Sequence, residues 1–162
     1  MEPSLPKRAK ANNKQVLAFD PDHTLDHSHL KKPYFKEIKM IEGVNYKDLF
    51  IRENESRIFL AGRVDDIEQA DAVEAVIKTA SPEKPVLNCL TLKKVCATAG
   101  FEWETHLEYL LTTLVDKPVA ITKEGRDGLL LTVLNWSDKE IAETSHLLAA
   151  LGVLERVRLN VS

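Results

Sequence analysis

The chain has little of most things that announce chemistry. Its 162 residues hold two cysteines, Cys89 and Cys96, with six residues between them. That is too few thiols, at the wrong spacing, for a thiolate metal knot, and Cys89 lies in an apolar run where it reads as a small buried hydrophobe. Glycine is scarce too, six in all and scattered, so no glycine-rich loop is present to cradle a phosphate. No run approaches the roughly 18 apolar residues that a membrane-spanning helix needs. Neither sign of charge dominates. The 25 acids and 22 bases leave a formal net charge of −3, and no basic surplus points to nucleic acid. The basic start, MEPSLPKRAKANNKQ, has no apolar core behind it. This predicts no secretory signal and a cytoplasmic default; an envelope or periplasmic location would require a trimmed or fragmentary chain.

What is present is ordinary globular material. The chain is 44% hydrophobic and 29% charged, enough for one domain or for two small units sharing a core. Residues 1–32 read as a basic arm and polar lead-in with little to bury, expected to be disordered. From Pro33 the chain becomes regular. A helix over about 33–43 places Tyr34, Ile38 and Ile41 on one face. DLFIRE (48–53) and RIFLAGRV (57–64) read as strands, with Ile58, Leu60, Gly62 and Val64 on a common face. Asp65 and Glu68 make a capping-box pattern for a helix carrying Ile67, Ala70, Val73, Val76, Ile77 and Ala80. VLNCLTL (86–92) is then a strand.

Residues 103–162 repeat that order. Trp103, Leu107, Leu110, Leu111 and Leu114 form a helical stripe, VAIT (119–122) and GLLLTVLN (128–135) read as strands, and KEGRDG is the turn between them. Ser137 and Glu140 form a capping box before a helix with Ile141, Leu148 and Leu151, Gly152 caps its end, and VRLNV (157–161) alternates as a half-buried strand. The spacing aligns Leu60 with Leu131, Val86 with Val157 and Glu53 with Glu124, each 71 apart. The expected fold is therefore α+β. Two helix-strand-strand-helix-strand units, 33–92 and 103–162, join through 93–102, with helices packed on mixed sheet.

Three motifs invite a chemical reading. VLAFDPDHTLD (16–26) looks like the first motif of the haloacid dehalogenase-like phosphatases, in which Asp20 would attack a phosphoryl group and Asp22 would act as acid and base, with Mg²⁺ as cofactor. Here His23 stands where that motif usually has glycine, and no acidic pair follows in the right order, so the motif lacks its context. His23, His27 and His29 among Asp20, Asp22 and Asp26 could offer nitrogen and oxygen to a metal, but at no recognised ligand spacing. The expectation is no metal. The basic cluster that includes Lys7 and Arg8 could touch phosphate or lipid headgroups, or serve as a solubilising tail, and would suit a cytoplasmic adaptor with an acidic partner. Trp103 and Trp136 read as core anchors. No Ser or Cys is arranged with His106 or His146 as a nucleophile.

RIFLAGRVDDIEQADAVEAVIKTASPEKPVLNCLTL resembles the BON module of bacterial envelope proteins, on Ala61-Gly62, Arg63-Val64, the helix from about Asp66, and Asn88 near the start of the closing strand. Residues 103–161 look like a diverged second copy with Val133 at the place of Gly62. The tandem is similar to a region of outer-membrane protein A-like proteins and, distantly, to the ring-building modules of secretins. The resemblance implies a non-catalytic module that binds an anionic phospholipid surface or a protein partner, or self-associates, without cofactor. Arg156 and Arg158, flanking Val157, are then expected to face solvent and steer an acidic partner or lipid, with the edge of the last strand open to a further strand.

Overall fold

The computed structural model describes residues 15–18 and 35–162. The elements, in order, are β1 (Gln15–Ala18), α1 (Phe35–Lys39), β2 (Leu49–Glu53), β3 (Ile58–Val64), α2 (Ile67–Ala80), β4 (Val86–Leu92), α3 (Lys93–Cys96), α4 (Trp103–Val115), β5 (Val119–Glu124), β6 (Gly128–Val133), α5 (Asp138–Ala150) and β7 (Val157–Val161). The fold is α+β, with two sheets, β2-β3-β4 and β1-β7-β6-β5. In each half a hairpin of antiparallel strands is followed by a helix that crosses back to a parallel strand: β2-β3-α2-β4 and β5-β6-α5-β7.

The register makes the correspondence quantitative. Leu60 lies opposite Asn88, and Leu131 opposite Leu159, so the spacing of 71 runs through β3/β6 and β4/β7. The helix N-caps, Asp66 and Ser137, are also 71 apart. The first strands shift by one: Ile51 faces Leu60, while Ile121 faces Leu131. Glu53 therefore matches Lys123, not Glu124. The cause is the hairpin loop, which holds residues 54–57 in the first half and 125–127 in the second.

Two hydrophobic clusters account for the layers. Leu49, Ile51, Ile58, Leu60 and Val64 pack with Ile38, Val73 and Ile77 on one face of the first sheet. Phe50, Phe59 and Ala61 point the other way, into a cluster with α4, α5 and the inner face of the second sheet, including Leu129, Leu131, Val157 and Leu159. The order is α1 and α2, first sheet, α4 and α5, second sheet. Both faces of β3 are thus buried, which the alternation at Ile58, Leu60 and Val64 did not predict.

Arginines of the first sheet and its hairpin loop fasten it to the helices behind. Arg52 Nη1 donates to Leu114 O at 3.2 Å, Arg57 Nη2 to Thr113 O at 3.2 Å and Arg63 Nε to Ala150 O at 3.1 Å. All three carbonyls belong to last turns, where they have no partner within the helix and the dipole favours a cation. Asp48 and Asp65 take the remaining charge of this corner: Asp48 pairs with Arg63 and Lys93, and Asp65 with Lys93.

Several local expectations shift. The α2 cap is Asp66, accepting from Gln69 N, while the Gln69 side chain returns to Asp65 N. Ile67 is exposed, because it opens the helix on the side away from the sheet. Ile141 is only partly buried, and Thr144, Ser145 and Leu147 join Leu148 and Leu151 in the interior. The two hydroxyls there bond to carbonyls of their own helix, Glu140 O and Ala142 O. The first helix covers only Phe35–Lys39, with Ile38 buried, and the connection 93–102 contains α3. The stretch read as an arm, 1–32, carries strand β1, which pairs antiparallel with β7 from Gln15↔Val161 to Ala18↔Arg158.

Candidate functional site

The edge of β7, expected to be open, is the edge that β1 covers. The equivalent edge of the first sheet is β4, and no strand pairs with its outer side among the described residues. Ile58 N donates to Pro85 O at 2.9 Å, which sets the phase of the parallel ladder. In such a ladder alternate residues of a strand turn both backbone groups toward one neighbour. Leu87, Cys89 and Thr91 therefore bond to β3, and Val86, Asn88 and Leu90 present N–H and C=O outward, while Leu92, as N-cap, gives its C=O to the first turn of α3.

One of these groups is satisfied locally. Asn88 Oδ1 accepts from Leu90 N at 3.0 Å, while Asn88 Nδ2 donates to Glu74 Oε1 at 2.8 Å. Glu74 is held below the ordinary carboxylate range, first by its hydrogen bond with Lys78 and then by that with Asn88. The asparagine thus plugs the edge from the α2 side. Every β4 residue is half-buried, although the run VLNCLTL is mostly apolar. Its two polar members, Asn88 and Thr91, were the sequence signal for an edge.

The other side of β4 is lined by α4. His106 Nε2 lies 3.2 Å from Thr91 Oγ1, and the Tyr109 side chain stands near the Cys89 thiol. Phe101, Trp103 and His106 meet edge to face, with centroids 4.7 Å apart for Phe101–Trp103 and 5.3 Å for Phe101–His106. Tyr109 is 52% exposed beside the open strand. Burial pushes the thiols of Cys89 and Cys96 up, so both favour the protonated, unreactive form at neutral pH. Cys89 is half-buried, less than its run implied.

Burial also holds the His106 imidazole below its ordinary value of 6.5. The unfolded chain therefore takes up this proton first as pH falls. The histidine costs no stability above about 6.5, and stability is lost as pH drops from there through the lower folded value. Urea unfolding from about pH 7.5 to about 5 is expected to show this loss in the parent and less of it in His106→Gln. Identical slopes for the two proteins would contradict it.

Of the predicted binding residues, Arg156 and Arg158 are both engaged within the chain. Arg156 Nε donates to Asp127 O at 2.8 Å, and its guanidinium lies over the Trp103 ring at 5.7 Å. Arg158 is exposed as expected, but Nη1 pairs with Glu124 Oε2 at 3.0 Å. Lys7, Arg8, Asp20, Asp22, His23, His27 and His29 lie outside the described residues. The run leading toward Asp20 is β1, an edge strand antiparallel to its neighbour. Among the described residues no group of three His, Cys, Asp or Glu side chains could hold a metal, and no helix is long and apolar enough to cross a membrane. Trp103 and Trp136 are both core, at 8% and 6% exposure. Comparison with known proteins finds no family model and no curated protein that matches the chain.

Proposed function

We propose that this chain is a non-catalytic interaction protein, built from two BON-like units, that binds a protein partner by accepting a strand on the edge of β4. The observation that carries this reading is the difference between two equivalent edges: β7 is covered by β1, whereas β4 has no strand beside it among the described residues. The outward backbone groups of Val86, Asn88 and Leu90, one of them held only by the Asn88 side chain, make a template for strand addition. A protein partner is favoured over an anionic lipid surface because Arg156 and Arg158, the two bases of the last strand expected to meet headgroups, already have partners within the chain.

The test places a photo-crosslinking residue at Leu90 in the full chain, in the cells that make it, with the same residue at Thr122 on the β5 edge as control. A discrete adduct from position 90, absent from 122, is the expected result. An equal yield from both positions would overturn the reading. So would Mg²⁺-dependent turnover of an aryl phosphate that Asp20→Asn abolishes.

A further inference from the structure

The covered edge describes the ligand of the open one. Ser162 N donates to Val133 O at 3.0 Å, so β7 turns Arg158, Asn160 and Ser162 toward β6. Val157, Leu159 and Val161 then turn their backbone groups toward β1. Gln15 lies opposite Val161 and Leu17 opposite Leu159, so these two β1 residues make the ladder bonds. Subtracting 71 maps Val161 onto Leu90 and Leu159 onto Asn88, both outward residues of β4. The two edges present the same row of donors and acceptors in the same phase.

Resting on the function proposed above, we infer that the partner segment on β4 is an antiparallel, extended, uncharged stretch of another protein, of the kind that Gln15–Ala18 (QVLA) is to β7. Its bonded residues stand opposite Leu90 and Asn88. To receive it, Leu90 N–H exchanges the Asn88 side chain for a partner carbonyl. Two features restrict the occupant. The His106 and Tyr109 side chains of α4 lie against Thr91 and Cys89 on one face of the strand, and α2 lies along the other. These flanks cover the two faces of β4 and leave its edge as the place for a strand. The exposed Tyr109 ring offers an apolar contact to alternate side chains of that strand.

The probe is a capped, labelled peptide with the sequence of residues 14–20, KQVLAFD, titrated into the full chain. Saturable binding is expected, with amide exchange slowed at Asn88 and Leu90. N-methylation of the peptide at the Leu17 position should weaken binding by about tenfold or more, and at the Val16 position should leave it, because only the first removes a ladder donor. Leu90→Pro in the chain should also abolish binding; proline is tolerated where an edge N–H points outward. Saturable binding with exchange unchanged at Asn88 and Leu90 would mean that the peptide takes another edge, and would overturn the inference. Concentration-dependent self-association of the chain would overturn it in favour of a second copy. If position 90 crosslinks a partner in cells but the peptide does not bind, the segment class is wrong and the interaction function stands. If neither is seen, both fall.

Discussion

Gly62→Ala is expected to destabilise the whole molecule, by about 3 kcal/mol or more. Gly62 is inside β3, opposite Leu49, with φ of +127°. An added Cβ would stand 2.0 Å from Asp48 O and 3.0 Å from Leu49 Cα. These are backbone atoms at the start of β2, and they can move only if the hairpin does. The residue is therefore constrained twice, by a backbone conformation that side chains rarely adopt and by a neighbour that leaves no space. The measurement is urea unfolding followed by tryptophan fluorescence. Trp103 and Trp136 both belong to the second half, within the cluster that Phe50, Phe59 and Ala61 enter from the first sheet. A shared core predicts that damage at Gly62 moves the tryptophan midpoint. An unmoved midpoint would show that the halves unfold separately. Gly100→Ala is the control: nothing lies within 4 Å of its added Cβ, and its stability should stay within about 0.5 kcal/mol of the parent.

The second large effect is at Leu131. It is fully buried at the centre of β6, between Ile121 and Leu159, in the cluster formed with α4 and α5. Leu131→Ala should cost about 2–5 kcal/mol, the transfer of the lost methyl groups plus the cavity left in a packed interior. Leu60, also at 0% exposure in the corresponding position of β3, should fall in the same range. Leu130→Ala, one residue along on the outer face and only half-buried, should cost much less. Equal losses at Leu130 and Leu131 would reverse the assignment of inner and outer faces.

Much of the local structure was legible in the residues. The stripe from Trp103 to Leu114 is buried at every position named for it, because one helix face answers to a single spacing. The capping box of Ser137 and Glu140 forms with both of its hydrogen bonds, since its groups are three residues apart. VLNCLTL and VRLNV are the strands β4 and β7 with the bounds expected, and the spacing of 71 survives as a spatial register. The candidate site was less legible. The edge strand nearest the end of the sequence was expected to be open, and the reverse holds. Nothing in VRLNV or VLNCLTL states which of them a distant tetrapeptide will join.

The sequence by itself determined the order of the main elements from β2 to β7, the inward stripe of α4, and the bounds of β4 and β7. These depend on contacts between near neighbours and on a choice between water and interior made residue by residue. The tertiary structure alone decided that Phe59 and Ala61 are as buried as Ile58 and Leu60, because α4 and α5, more than forty residues away, lie against that face. It decided that Arg52, Arg57 and Arg63 serve the last turns of helices in the other half, not solvent. It decided that β1 covers β7 and that no strand covers β4 among the described residues. The reason is common to all three. Burial of a second face, the partner of a helix-end carbonyl and the neighbour of an edge strand are set by which surfaces meet, and a local pattern carries no information about a surface contributed from elsewhere in the chain.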